Sequence, residues 1–182
     1  MNLLEEIRQV ERDAELIYSM DQLESAIERI AAEINARLGG SNPILLTVLN
    51  GGIIFSGKLL SRLRFPLQID AVKASRYRGE TSGGQIEWSL KPNLPLQGRT
   101  VLLIDDILDE GITLAEIKAW CGEQGAEEVL TAVLVDKQIG RERPCRADFV
   151  GLEAENRYLF GYGLDYKNYL RNAPGIFACQ GL

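Results

Sequence analysis

A chain of 182 residues, 46% of them hydrophobic, is long enough for one compact domain with a substantial core, and nothing in it calls for a second. Its formal charge of −6, with the basic residues in no long tract, argues against a general nucleic-acid or anionic-membrane surface but leaves room for an anionic small substrate. Three well-separated cysteines fit buried thiols in a reducing compartment, and the absence of histidine removes His-activated nucleophiles and the common zinc arrangements, so carboxylates become the natural acids, bases and hard-metal ligands.

Charge interrupts the first 20 residues throughout, so they read as an N-terminal helical extension and not as a signal peptide. No apolar run approaches a membrane span, and the expected location is cytoplasmic. Asp21, with Glu24 three residues later, is the expected cap of a helix whose apolar stripe is Leu23, Ile27, Ile30, Ile34 and Leu38 and which Gly39 and Gly40 end. A buried strand over 44–49, a turn at Gly51 and Gly52, a helix over 53–63 and a second strand over about 67–74 come next. Residues 75–84 are polar, with three glycines, and read as a mobile loop leading into a hairpin through Ile86 and Trp88. After breaks at Pro92, Pro95 and Gly98 the pattern predicts a strand over 101–104, a helix from Thr113 to about Cys121, a strand over 129–135, and short extended pieces at 149–150 and 158–161. Alternation of this kind, without repeats, predicts an α/β fold: a single domain with a mainly parallel sheet flanked by helices and a small irregular C-terminal hood.

The segment TVLLIDDILDEGIT (residues 100–113) carries the most chemistry. Val101, Leu102, Leu103 and Ile104 form the continuous apolar run of a strand covered on both faces, and Asp105 and Asp106 follow it. Ligands of open α/β sheets bind at the carboxyl ends of the strands, where two carboxylates can reach metal ions or sugar hydroxyls. Asp109, Glu110, Gly111, Ile112 and Thr113 then turn into a helical pattern, and Gly111 lets the backbone approach a ligand near N–H groups suited to phosphate.

This spacing resembles the 5-phosphoribosyl-1-pyrophosphate (PRPP) loop of the type I phosphoribosyltransferases: two acids, two apolar residues, an Asp, a Thr or Ser, Gly, any residue and Thr. Asp105, Asp106, Asp109, Gly111 and Thr113 fit the pattern, whereas Glu110 stands where a small hydroxyl usually meets the 5-phosphate. The resemblance covers nearly all of the chain from Asp21 onward. By it, Asp105, Asp106, Glu110, Gly111, Ile112 and Thr113 bind PRPP, and Leu49, Asn50 and Gly51 look like the pyrophosphate loop, whose first peptide is often cis in that family. Purine-using members often carry Lys where Asn50 stands. Ser75, Arg76 and Tyr77 resemble the flexible loop that closes over the reactants, with Arg76 intervening between the usual Ser and Tyr.

The C-terminal third resembles the hypoxanthine-guanine branch in spacing and wording. Lys137 follows a buried strand, and Tyr158 comes twenty-one residues later, ahead of the run 159–166, LFGYGLDY. The resemblance makes Lys137 a donor to the purine 6-oxo group, Tyr158 the ring stacked on the base, and Leu159 a reader of its edge through backbone groups. It makes Asp165, with Asp105 and Asp106, a Mg²⁺ ligand, and Arg171 a pyrophosphate contact. Tyr162, Tyr166 and Tyr169 are expected to be packing residues.

The implied activity is transfer of the phosphoribosyl group from PRPP to N9 of hypoxanthine or guanine in purine salvage. Asp109 is then the catalytic base at N7, Mg²⁺ the cofactor, and a homodimer or homotetramer the expected assembly, with no nucleic-acid or membrane partner. Two alternatives stay open: a phosphoribosyltransferase for xanthine, adenine or a pyrimidine, and a non-catalytic nucleotide- or RNA-binding regulator on the same fold.

Overall fold

The computed structural model describes residues 2–76 and 86–181. The elements in chain order begin with α1 (Leu3–Asp13), β1 (Glu15–Ser19), α2 (Met20–Leu38), β2 (Ile44–Val48), α3 (Ile53–Leu60) and β3 (Gln68–Arg76). They continue with β4 (Ile86–Leu90), β5 (Thr100–Leu108), α4 (Ile112–Glu123), β6 (Glu128–Gln138), β7 (Phe149–Glu155), β8 (Leu159–Phe160) and β9 (Gly175–Ala178).

Six strands form the central sheet in the order β4-β3-β2-β5-β6-β7. All neighbours pair in parallel except β4, which runs antiparallel to β3 as the second arm of the expected hairpin. The apolar run of β5 is explained by burial on both faces. Leu102 and Ile104 join the core formed with α2 and α3, while Val101 and Leu103 join the core formed with α4. The stripe Leu23, Ile27, Ile30, Ile34 and Leu38 is wholly buried. Removing a side chain such as Ile30 by substitution to Ala would cost about 2–5 kcal/mol.

Two expectations at the N-terminus are corrected. Residues 1–20 are not helical throughout, because only Leu3–Asp13 is helix and Glu15–Ser19 is a strand. That strand pairs antiparallel with β9 in a second sheet of order β1-β9-β8. Because β1 runs up to Ser19, α2 has to begin at once, and its cap is Ser19, not Asp21. The Ser19 side chain accepts from the Gln22 N–H, and the Gln22 side chain accepts in return from the Ser19 N–H at 2.9 Å. Glu24 is spent elsewhere: it pairs with Lys58 at 2.7 Å and Arg62 at 2.6 Å, and accepts from the Tyr162 hydroxyl at 2.7 Å. One carboxylate thus ties α2 and α3 to the hood.

The hood is more regular than the sequence suggests, since its framework is the three-stranded sheet. Ile7 of α1 packs against Phe160, Tyr166, Ala173 and Cys179 beneath it. Glu6 accepts from Tyr166 Oη at 2.7 Å and pairs with Lys167, which fastens α1 to the same unit. Among the described residues, no helix is long and apolar enough to cross a membrane.

Candidate active site

The parallel register brings several strand ends to one edge of the sheet. Thr47 lies beside Ile104, Val48 beside Val72 and Leu108 beside Asp136, so the carboxyl ends of β2, β3, β5 and β6 open together. Asp105 and Asp106 lie within β5 and not beyond its end, because pairing with β6 carries the strand on to Leu108. A cavity of about 400 Å³ opens there. It brings together Leu49, Asn50, Gly51, Asp105, Asp106, Asp109, Thr113, Lys137, Tyr158, Leu159, Asp165 and Arg171, every one of them anticipated from the sequence. Glu110, Gly111 and Ile112 line an adjoining hollow of about 250 Å³, which Asp105, Asp109 and Thr113 share.

The acid pair is strained electrostatically. Burial, and then the neighbouring Asp106 carboxylate, push Asp105 well above the usual carboxylate range. Burial raises Asp106 as well, while its hydrogen bonding to Asp105 and the charge of Arg171 pull it back. Two carboxylates so placed favour an incoming cation or hydroxyl donor. Asp106 also backs the loop after β2: a Cβ on Gly51 would lie 2.1 Å from Asp106 Oδ2, so only glycine lets the loop pass this close. The Leu49–Asn50 peptide in this loop is cis.

Gly111 begins α4 with φ 75°, a left-handed conformation that leaves the first N–H groups of the helix facing the smaller hollow. Beside it the Glu110 carboxylate is paired with Arg141 at 2.6 Å, so the residue that departs from the family pattern comes with a counter-charge. Lys137 Nζ donates to Asp109 Oδ2 at 3.0 Å, joining the end of β6 to the loop after β5.

The opposite wall belongs to the hood. Arg171 lies 2.7 Å from Asp165 Oδ1 and 3.9 Å from Asp106 Oδ2, and donates to the Gly163 carbonyl at 2.7 Å. Asp165 also accepts from the Asn168 N–H at 2.7 Å. Tyr158 is exposed at the mouth, with its ring edge-on to Tyr166 at 5.4 Å between centroids, while Leu159 is buried in β8.

Some expectations are not met by the placement. Ser75 is in β3, paired with Glu87 and exposed, and it does not line the cavity, whereas Ala74 does. Arg76 closes β3 opposite Ile86. Tyr77 lies outside the described residues. Tyr162 and Tyr166 are buried as packing residues, but Tyr169 is exposed, between Asn168 and Leu170, which both take positive φ. Sequence reasoning missed the apolar lining of Val48, Ile107 and Leu164, which look like ordinary core residues until the cavity is seen. Among the described residues no three carboxylate or thiol side chains converge on one point, so the oxygen ligands do not form an all-protein metal cage.

A doubly covered parallel sheet with an acid pair, two glycine-bearing loops and a helix N-terminus at one edge is an α/β ligand-binding edge suited to phosphates and cations. Residues 14–167 match the family described as phosphoribosyl transferase domain. The hypoxanthine-guanine phosphoribosyltransferase of Streptococcus pneumoniae is 34% identical over 162 residues, 88% of this chain and 90% of that protein. A bifunctional protein TilS/HprT of Listeria innocua is 35% identical over 162 residues, but there the chain spans only 25% of the longer relative. A solved hypoxanthine-guanine-xanthine phosphoribosyltransferase superposes with a TM-score of 0.84 at 29% identity, covering 92% of this chain and 98% of that one. The chain belongs to the phosphoribosyltransferase family, in its hypoxanthine-guanine branch.

Proposed function

We infer that the protein transfers the 5-phosphoribosyl group of PRPP to N9 of hypoxanthine or guanine, releasing pyrophosphate, as a cytoplasmic enzyme of purine salvage. The observation that carries this reading is the convergence on one cavity of the acid pair of β5, the glycine loop after β2, the Asp109–Lys137 pair and the Tyr158 ring. All 182 residues act as one catalytic unit in which residues 1–20 brace a base-binding hood of about residues 137–182.

Position supports each role. The Lys137 ammonium has three donors, one of them on Asp109, and the others are free to reach the purine 6-oxo group. Tyr158 offers a ring face at the mouth, and the backbone of Leu159 lies beside it for the base edge. Asp109 accepts the N7 proton as N9 attacks C1 of the ribose, and the C1–pyrophosphate bond breaks with its electron pair leaving on pyrophosphate. Asp105 and Asp106 hold the ribose hydroxyls and stabilise the cation-like sugar. The 5-phosphate takes the hollow at the start of α4, where Arg141 offsets Glu110. Pyrophosphate meets Leu49, Asn50, Gly51 and Arg171.

The oxygen donors fit Mg²⁺, which takes one or two carboxylates together with substrate phosphates and does not need a full protein cage. Asp105, Asp106 and Asp165 would hold it, with Asp165 shared with or released by Arg171. The chemistry Mg²⁺ supplies when bound is neutralisation of the pyrophosphate charge. The assembly proposed is a homodimer or homotetramer.

Initial rates with PRPP, Mg²⁺ and each of hypoxanthine, guanine, xanthine and adenine test the reading. Formation of IMP and GMP, abolished by excess EDTA, is the expected result. Pyrophosphate release that depends on none of these bases would overturn it.

A further inference from the structure

Arg143 is the cation that bridges the ends of β5 and β6 behind the Asp109–Lys137 pair. Its Nη1 donates to the Leu108 carbonyl at 3.1 Å and to the Lys137 carbonyl at 3.1 Å, with the Asp109 carbonyl at 3.4 Å. The same nitrogen lies 2.7 Å from Asp136 Oδ1, and both side chains are largely buried, at 14% and 16% exposure. Asp136 Oδ1 makes no hydrogen bond of its own, so the guanidinium charge is what offsets its burial. Neither Arg143 nor Asp136 lines the active-site cavity of about 400 Å³; both line a separate hollow of about 620 Å³.

The three carbonyls belong to the last residue of β5, the residue after it, and the last residue but one of β6. One nitrogen therefore fastens the peptide that carries Asp109 to the peptide that carries Lys137. The side chains of those two residues meet above it at 3.0 Å. Strand pairing sets the register only as far as Leu108 opposite Asp136, and beyond that point Arg143 does the work of the ladder.

We propose that Arg143 is a positioning residue for phosphoribosyl transfer: it locks the Asp109 and Lys137 backbones together, so that the grip on the purine oxygen and acceptance of the N7 proton are aligned as one unit. This deepens the assignment of Asp109 and Lys137 made under Proposed function and rests on it. Small displacements of such groups are costly, because about 1 Å of misplacement can lose about 100-fold in rate.

The test compares Arg143→Met and Arg143→Lys with wild type, and repeats Arg143→Met in a Lys137→Met background. Folding of each variant is followed by circular dichroism, and the KM for hypoxanthine, the KM for PRPP and single-turnover kcat are measured. Arg143→Met should raise the hypoxanthine KM and lower kcat, each by about tenfold to 100-fold, while the PRPP KM moves by less than about threefold. Arg143→Lys should recover part of the loss, since an ammonium keeps the charge and N–H donors although its stem ends one bond short of Nη1. In the Lys137→Met background the effect of Arg143→Met on the hypoxanthine KM should largely vanish, because there is no longer a donor to aim. Should Arg143→Met be folded with unchanged hypoxanthine KM and kcat, or should its effect add in full to that of Lys137→Met, the proposal is overturned. A wild-type enzyme without base-dependent turnover would instead overturn the underlying functional reading, so the two failures are distinct.

Discussion

Lys137→Met separates recognition from structure more cleanly than any other single change. The ammonium is largely buried at 12% exposure, but its partner Asp109 is 47% exposed, so the ion pair is screened at one end. A pair of that kind contributes about 0–1 kcal/mol to folding, and Met keeps most of the packed stem. A donor lost to a buried purine oxygen is a larger matter, worth about 1.5–3 kcal/mol, which at about 1.4 kcal/mol per decade is about tenfold to 150-fold. The expected result is therefore a kcat/KM for hypoxanthine and guanine reduced by that factor, with the PRPP KM and the urea midpoint nearly unmoved. Parallel initial-rate series at fixed saturating PRPP, together with urea unfolding of both proteins, give all of these values. A variant that unfolds several kcal/mol more easily yet keeps wild-type use of both bases would refute the assignment and make Lys137 a structural tie to Asp109.

Asp109→Asn keeps the shape of the side chain but cannot accept the N7 proton, so kcat should fall by about 10²–10⁴-fold in single-turnover assays with little change in PRPP binding; wild-type kcat would exclude Asp109 as the base. Gly51→Ala forces a Cβ to within 2.1 Å of the Asp106 carboxylate, and kcat/KM for PRPP should drop by about tenfold or more. Gly57→Ala, where a Cβ meets nothing within 4 Å on α3, should leave activity intact and stabilise the fold by about 0.5–1 kcal/mol; equal kinetic effects of the two would show that the crowding at Gly51 is irrelevant. Hydrogen bonding from Lys58, then from Tyr162, with the charges of Lys58 and Arg62, holds Glu24 below the usual carboxylate range. Its stabilising effect is complete above the unfolded value of about 4.3 and is lost as pH falls through the lower folded value. Glu24→Gln should accordingly be less stable than wild type at pH 7 and lose less on acidification, and thermal melts whose difference does not change between pH 7 and pH 3 would contradict this.

What the sequence reveals depends on how local the cause is. β5 and the stripe of α2 were legible because burial on one or two faces leaves an unbroken or periodic apolar pattern in Val101 to Ile104 and in Leu23 to Leu38. The acid pair, Gly111 and Lys137 were legible because spacing along one strand or loop sets their place. β1 was not, since its residues ELIYS follow a charged helix and become a strand only by pairing with β9. The cap of α2 was misplaced for the same reason. β8 has two residues and β9 four, too few for any alternation to register. The tie formed by Arg143 was invisible because its partners are main-chain oxygens, which every residue carries and no sequence advertises.

The three-stranded sheet of the hood has β9 as its middle strand, between β1 and β8. Among the described residues its outer strands pair with no other strand, so Glu15–Ser19 has no sheet to join until Gly175–Ala178 is in place. During vectorial synthesis the parallel sheet can assemble on the ribosome from strands that emerge in sequence, whereas the wall bearing Tyr158 and Leu159 stays open until Gly175–Ala178 has emerged. A stop codon a few positions ahead of Gly175 would therefore release a protein with an ordered phosphate side and no purine side. Truncations ahead of Gly175 should abolish use of the purine base.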